Sequence, residues 1–217
     1  MKPYPLNLHR FDEVIAEMET RENTPGKILL YGSSFFTNWK EATAQMLEAS
    51  GGKYHVVNRG FGGAAIDELL LFYRKLVVPN APKAVIFRIG PNDIFNNFTV
   101  EEAWQSAVRL FEFLRADYPG ILLIPLCIFD YQSTKEEHKP LFARFNALQK
   151  EYAEQTENVW YLDINDFFYE NVEDIGTFQN FRDIFRADGL HLRPEFYAEF
   201  ARYLTEKLDS IPQLQAL

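Results

Sequence analysis

The sequence predicts an α/β fold in which a five-stranded parallel sheet lies between layers of helices. Short, almost uninterrupted apolar segments alternate with longer segments whose apolar residues recur at helical spacing. Consecutive strands that are each followed by a helix are typical of parallel sheets with right-handed crossover connections. A third observation concerns the loops, because Gly-rich or polar stretches follow the ends of several strands. Such a sheet binds ligands at the carboxyl ends of its strands.

Each predicted strand is a short apolar segment that a glycine or a polar residue ends. The first one, KILLY, runs into Gly32 and reads as a strand buried on both faces. The five predicted strands are residues 27–31, 54–58, 83–89, 120–129 and 159–164.

The predicted helices fill the segments between the strands. They are residues 7–22, 38–50, 66–77, 101–118, 140–156 and 195–208. Pro194 lies where the last helix could begin, since a proline is tolerated in the first turn. We therefore predict one domain over residues 1–217, with residues 1–26 forming an N-terminal helix that packs on it. Its expected architecture is flavodoxin-like, with three layers in the order α/β/α.

Composition limits the classes of function. The chain has 217 residues, of which 47% are hydrophobic, so one packed domain is expected. The net charge of −9 argues against binding to nucleic acids or anionic membranes, which requires clustered Lys and Arg. Cys127 is the one cysteine, which rules out an internal disulfide and a multi-cysteine zinc site. No signal peptide or membrane span is predicted, so we expect a cytoplasmic protein.

Asp188 and His191 form an Asp-x-x-His pair in the loop before the last helix. At this spacing the carboxylate can accept the imidazole Nδ1–H while Nε2 faces the group to be deprotonated. The alternative interpretation is an ordinary surface loop.

Ser33 and Ser34 follow the first strand and precede a helix. Either serine could be an N-cap, since serine is favoured there for stability alone. The functional interpretation is a nucleophilic hydroxyl at a helix N-terminus, where backbone N–H groups stabilise an oxyanion. The chain has no G-x-S-x-G motif, so the nucleophile elbow of the larger α/β-hydrolases is not expected.

Two further motifs follow the second and third strands. Residues 60–65 match G-x-G-x-x-A, a weak dinucleotide-binding fingerprint, although the turn follows the second strand and lacks an acidic residue at the expected distance. A turn that directs an N–H group toward Ser34 explains the same glycines. Asn92, after Gly90-Pro91, is either a turn residue or a side-chain donor to an oxyanion.

Together these four blocks resemble the SGNH (GDSL-like) hydrolase family, over a stretch from about Ile28 to the C-terminal helix. The blocks stand in the family's order on successive strand ends, as Gly32-Ser33-Ser34-Phe35, Asn58-Arg59-Gly60-Phe61-Gly62-Gly63, Gly90-Pro91-Asn92-Asp93 and Asp188-Gly189-Leu190-His191. The first block departs from Gly-Asp-Ser-Leu and is similar to a Gly-Ser-Ser subgroup, which leaves substrate preference open.

The resemblance implies a catalytic triad of Ser34 as nucleophile, His191 as base and then acid, and Asp188 as orienting carboxylate. It implies oxyanion donors from the Ser34 N–H, the Gly63 N–H and the Asn92 side chain. Gly62 is an alternative to Gly63, because adjacent glycines leave the register open by one residue. No metal and no cofactor are implied.

Aromatic residues beside the motifs suggest an apolar acyl pocket formed by Phe35, Phe61 and Phe95. Core packing is the alternative for each of them. Arg59, beside the glycine turn, could contact a substrate anion or form a salt bridge.

The expected activity is that of an esterase, lipase or acetylesterase that acts on a small-molecule ester such as an acylated carbohydrate or a lipid. The alternatives are a catalytically inactive binding domain of the same fold and, from the glycine turn, a nucleotide-binding domain. Neither a nucleic-acid partner nor a membrane partner is expected, and the oligomeric state is open.

Overall fold

The computed structural model describes residues 9–177 and 179–215, and a parallel sheet forms the centre of this part of the chain. The strands are β1 Ile28–Gly32, β2 Val56–Asn58, β3 Ala84–Arg88 and β4 Leu122–Pro125. They pair in the order β2-β1-β3-β4, and all pairs are parallel. Every residue of β1, β3 and β4 is buried, as expected for strands with helices on both faces. The predicted α/β class and parallel sheet are therefore confirmed.

The helices connect these strands and cover them. They are α1 Asp12–Glu19, α2 Ser34–Asn38, α3 Ala42–Ala49, α4 Ile66–Leu76, α5 Pro91–Phe95, α6 Val100–Asp117, α7 Lys139–Gln155, α8 Tyr197–Asp209 and α9 Pro212–Gln215. Helix α3 packs against α8, whereas α4 packs against α1 and α6, and α6 packs against α7. Short 3-10 helices lie at Val78–Asn80, Asn165–Phe168, Val172–Asp174 and Pro194–Phe196. Among the described residues, no helix is both long and apolar enough to cross a membrane.

The prediction of five strands is wrong, because residues 9–177 and 179–215 form four strands and the fifth predicted segment joins β4 only at isolated bridges. These bridges pair Leu123 with Val159 and Leu126 with Leu162. Trp160 N donates to Leu123 O at 2.8 Å, and Leu162 N donates to Pro125 O at 3.0 Å. In a regular parallel ladder, the hydrogen bond between these two would be donated by the backbone N–H of residue 125 to Trp160 O. Residue 125 is a proline, which has no backbone N–H. Pro125 therefore interrupts the ladder in its middle.

Two helices differ from the prediction for identifiable reasons. The predicted N-terminal helix, residues 7–22, is shorter in the structure, and its residues Asn7 and Leu8 lie outside the described part. The predicted helix 38–50 is replaced by α2 and α3, which are separated by a turn at Trp39. Trp39 is fully buried and stacks on Tyr197 at 5.7 Å, so the chain turns to bring this ring into the core.

Gly32 brings β1 and β3 close together where β1 ends. A Cβ atom at this position would lie 2.4 Å from the backbone oxygen of Arg88. Because the obstructing atom belongs to the neighbouring strand, neither strand can move without disturbing the sheet.

Asp93 attaches the short helix α5 to the start of α4. Its Oδ1 accepts a hydrogen bond from Ile66 N at 3.0 Å, while its buried Oδ2 has no partner in the described part of the chain. Burial raises the pKa of Asp93 to about 7. Helix α5 begins at Pro91, and a proline in the first turn is a sequence signal for the start of a helix.

Gly32→Ala is expected to lower the free energy of unfolding by about 3 kcal/mol, because the added methyl group overlaps the backbone of β3. Urea denaturation checks this value. Gly62→Ala is the matched control, since the nearest atom to a Cβ there is 3.9 Å away. Equal stability losses in the two variants would contradict the steric argument.

Asp93→Asn is expected to stabilise the protein increasingly as the pH rises from about 4 to 7. An acid with a raised pKa binds more protons in the folded state across this window, so its contribution to stability falls with rising pH by up to roughly 1.4 kcal/mol per pH unit. Asparagine retains an acceptor for Ile66 N and removes the titration. The measurement is the difference in unfolding free energy between variant and wild type from pH 4 to 8. A difference independent of pH would refute the raised pKa.

Candidate active site

Ser34 is the first residue of α2, directly beyond the carboxyl end of the central strand β1. Ser33 occupies the N-cap position, but its side chain makes no capping hydrogen bond. Ser33 is buried, whereas Ser34 is partly exposed. Of the two serines, Ser34 is the one that solvent reaches, and it stands at the N-terminus of a short helix.

Asp188 and His191 form a compact turn whose hydrogen bonds fix the imidazole. His191 Nδ1 lies 2.8 Å from Asp188 Oδ2, and Asp188 Oδ1 accepts from the backbone N–H groups of Leu190 at 2.9 Å and His191 at 3.0 Å. Gly189 adopts a φ of +62°, which glycine tolerates without a steric cost. The side chain of Asp188 is 46% exposed and that of His191 is 20% exposed.

These hydrogen bonds determine the protonation pattern of the pair. Burial opposes ionisation of Asp188, but the hydrogen bonds from the His191 side chain and from the two backbone N–H groups prevail and lower its pKa to about 2. An ionised carboxylate can only accept, so Nδ1 of the neutral imidazole carries the proton and Nε2 is an acceptor. Nε2 is buried and has no hydrogen-bond partner within the described ranges. It is therefore available to accept a proton.

Contacts between α2 and α8 hold the serine and histidine segments together. The Tyr197 hydroxyl, six residues after His191, donates to Phe35 O at 3.0 Å. Tyr197 also stacks on Trp39, just beyond α2. The C-terminal segment thus docks on the helix that begins with Ser34.

The glycine turn lies on another side of Ser34. A Cβ placed on Gly62 would be 3.9 Å from the Ser34 Cβ, whereas a Cβ on Gly63 would meet nothing within 4 Å. Most backbone N–H groups of residues 60–66 have acceptors: the exceptions in this part of the structure are Gly62 and Gly63. Gly62 and Gly63, the two residues predicted as alternative oxyanion donors, therefore each have a backbone N–H that is not used in another hydrogen bond.

Asn92 contacts the same turn from α5. Its Nδ2 donates to Ala64 O at 2.8 Å. Because Asp93 binds Ile66 N from the same helix, α5 holds the carboxyl end of the glycine turn at two points. The side-chain amide of Asn92 has a second N–H, which this contact does not use.

Arg10 and Glu68 also hold this turn, and sequence analysis missed them. Arg10 Nη2 donates to Gly63 O at 3.0 Å, and its guanidinium pairs with Glu68. Glu68 in turn accepts from Ala65 N at 2.8 Å. A glutamate three residues after the N-cap residue of α4, Ala65, is a capping pattern that could have indicated Glu68. Nothing in the sequence indicates the contact to Arg10, which is 58 residues away from Glu68.

Four residues were predicted to contact substrate, and the structure places most of their side chains away from the solvent-exposed surface. Phe35 is 6% exposed and packs on Phe129 and Phe200, while Phe61 is fully buried against Phe11 and Phe72. Both therefore have the alternative role of core packing. Phe95 is 38% exposed and remains a predicted substrate contact.

Arg59 is directed away from the Ser34 site. Its Nη2 donates to Glu22 O at 2.7 Å, in the segment that follows α1. The salt bridge considered as an alternative is absent from the described residues.

The described residues also contain no cluster of three or more His, Cys, Asp or Glu that could hold a metal ion.

One family model and several solved structures match this chain. The model of the GDSL-like Lipase/Acylhydrolase family matches residues 29–199. A search of curated proteins found no match.

Solved structures share the fold at low sequence identity. A candidate platelet activating factor from Streptococcus pneumonia is 20% identical with a TM-score of 0.72, covering 93% of this chain and 92% of its own. A GDSL-like lipase from Bacteroides thetaiotaomicron is 16% identical with a TM-score of 0.67, covering 97% and 98%. A catalytic mutant of an acetylxylan esterase from Geobacillus stearothermophilus is 17% identical with a TM-score of 0.65, covering 87% and 96%.

The family match extends from β1 into α8 and so includes all four sequence blocks. It confirms the resemblance seen in the sequence: the chain belongs to the GDSL-like lipase/acylhydrolase family, also called the SGNH hydrolases.

Proposed function

We propose that this protein is a serine ester hydrolase that forms an acyl-enzyme on Ser34. The observation that carries the proposal is His191 Nε2, which is buried and unpartnered in the described structure while Asp188 fixes Nδ1. A histidine held in this way is suited to accept the proton of a hydroxyl. Ser34, at the start of α2, is the hydroxyl that family membership favours.

The proposed reaction has two steps. Ser34 Oγ attacks the ester carbonyl while His191 Nε2 takes its proton, and the imidazolium then protonates the departing alcohol. Water, deprotonated by His191, next attacks the acyl-serine, and Ser34 leaves with the proton restored. Asp188 stays ionised throughout at neutral pH, because its pKa is about 2, and it stabilises the imidazolium.

The proposed oxyanion site combines backbone and side-chain donors. The N–H groups of Ser34 and Gly63, or Gly62 in the alternative register, would stabilise the negative charge on the tetrahedral intermediate together with the Asn92 side chain. The unused N–H groups of the two glycines support this proposal. The Arg10, Glu68 and Asp93 contacts would keep the turn in place without rearrangement during the reaction.

The proposed substrate is a small-molecule ester, with acylated carbohydrates and lipids as the main classes. Solved structures of similar fold include an acetylxylan esterase and a GDSL-like lipase, which correspond to these two classes. Their low identity leaves the choice to experiment. A panel of acyl esters that differ in chain length and in alcohol would distinguish the classes.

Ser34→Ala is expected to reduce hydrolysis of nitrophenyl acetate by about 10³-fold or more, because no other hydroxyl replaces the nucleophile. A fluorophosphonate probe should label the wild type and not this variant. Ser33→Ala is the matched control, since Ser33 is adjacent but buried, and it should retain labelling. An unlabelled wild type would favour the inactive binding domain instead.

Asn92→Ala is expected to lower kcat by about 10²- to 10³-fold with a small effect on KM, because an oxyanion donor acts mainly in the transition state. Asn96→Ala, at the end of the same helix, serves as the control and should leave kcat unchanged. Steady-state kinetics with nitrophenyl acetate provide the measurement. A rise in KM at constant kcat would assign Asn92 to ground-state binding.

A further inference from the structure

A cavity lies along the outer edge of β2, and Ser34, Asp188 and His191 are not part of its wall. We call it the edge cavity, and residues within 14–27, 37–43 and 55–60 form its wall. Its volume of about 490 Å³ is in the range of small-molecule sites. Helix α1 and the segment after it form one side, and the start of α3 forms another.

Cationic side chains outnumber acidic ones in the wall of the edge cavity, although the whole chain has a net charge of −9. The cationic residues are Arg21, Lys27, Lys40 and Arg59, and the acidic residues are Glu17 and Glu22. Glu17 is already paired with Arg21, at 2.7 and 3.0 Å. Lys27 and Lys40 form no ion pair with any described residue. Glu17 also interacts electrostatically with Lys40 and Arg59, but with four cationic and two acidic residues the wall keeps an excess of positive charge.

Arg59 is the most unusual member of this group, because it is only 2% exposed and faces no carboxylate within 4 Å in the described structure. All of its side-chain hydrogen bonds come from Nη2, to Glu22 O at 2.7 Å, Asn23 Oδ1 at 3.2 Å and Arg21 O at 3.5 Å. Its Nε and Nη1 have no acceptor among those residues.

The charge on Arg59 needs compensation. Burial and then the nearby Arg21 lower its pKa, and Glu17, which already pairs with Arg21, offsets only part of this, but a guanidinium remains protonated in proteins. Removing such a charge from water without an opposite charge is costly. An anion in the cavity would remove this cost.

Arg88 shows how the same protein accommodates a buried guanidinium elsewhere. It is 1% exposed and lies 4.5 Å from the centre of the Phe129 ring, and its Nη2 donates to the Tyr131 hydroxyl at 2.6 Å, although its buried Nε and Nη1 have no partner among the described residues. Aromatic faces therefore partly compensate Arg88. The described contacts give Arg59 no comparable aromatic partner, and it borders a cavity instead.

The edge of β2 adds neutral donors to the cavity. Hydrogen bonds from Ile28 N to His55 O and from Arg59 N to Leu30 O show that the backbone N–H and C=O groups of the odd-numbered residues in and beside β2 point toward β1. Because pairing alternates along a strand, the backbone N–H groups of Val56 and Asn58 point to the outer edge. Thr43 Oγ1 donates to Val56 O at 3.0 Å, so the oxygen at this position is already used. The outer edge of β2 therefore offers more free hydrogen-bond donors than free acceptors to the cavity.

We propose that the edge cavity binds a small molecule through a phosphate or carboxylate group, which Arg59, Lys27 and Lys40 recognise. Fixed guanidinium donors together with mobile ammonium groups form a typical oxyanion-binding set. This inference does not depend on the proposed hydrolysis. Thr37 and Gly60 line the cavity, so the cavity borders the helix that begins with Ser34.

The first test is calorimetric titration of the full chain with inorganic phosphate and, separately, with citrate, at constant ionic strength set by chloride. We expect saturable binding of at least one of them, and the preferred one identifies the ligand chemistry. The Ser34→Ala variant should bind equally well, which separates this result from any failure of the hydrolase proposal. The absence of saturable binding by both anions would overturn the inference.

The second test locates the site. Lys40→Ala and Lys27→Ala should each raise the dissociation constant by about tenfold, as expected for the loss of one charge-assisted hydrogen bond. Lys150→Ala, on the exposed face of α7, removes the same charge outside the cavity and should leave binding unchanged. Arg59→Gln extends the series if the variant folds. Binding that survives both Lys27→Ala and Lys40→Ala would place the anion elsewhere and reject the proposal.

Discussion

The close approach of β1 to β3 at Gly32 is the constraint on which the candidate site depends. Because no side chain fits between Gly32 and the backbone of Arg88, the two strands end side by side. The chain leaves β1 into Ser34 and leaves β3 into the helix that carries Asn92. Two residues that are 58 positions apart in sequence thereby reach the same edge of the sheet without any long loop.

The glycine turn fits between these two strand ends, and the surrounding contacts limit its freedom. On one side Asn92 and Asp93 bind Ala64 O and Ile66 N, and on the other Arg10 binds Gly63 O while Glu68 binds Ala65 N. The flexibility of adjacent glycines would otherwise carry an entropic cost for holding their N–H groups in one orientation. Donors stabilise a developing negative charge best when they are already oriented before the reaction, so the orientation of these N–H groups must be fixed when the protein folds.

The sequence predicted the central part of this arrangement and missed its support. Apolar runs placed four strands within a few residues, and the Asp188–His191 hydrogen bond follows from their spacing in a turn. The prediction of a fifth strand at residues 159–164 failed because Pro125 in the neighbouring strand removes one ladder hydrogen bond. The apolar pattern within residues 159–164 carries no information about that neighbour. Phe35 and Phe61 were assigned to a pocket because they adjoin the motifs, but the side of the turn that each ring faces is set by tertiary packing. Likewise, the partners of Arg10 and Arg59 lie far away along the chain.

The interruption at Pro125 has a consequence for how the protein loses activity. Ser34 follows a central strand with a partner on each side, whereas His191 follows a segment that begins at two isolated bridges and continues through irregular backbone. Local opening is easiest where few backbone hydrogen bonds must break. On warming, the region of His191, the proposed base, can therefore detach while the sheet around Ser34, the proposed nucleophile, stays intact, so we expect the proposed activity to be lost before cooperative melting.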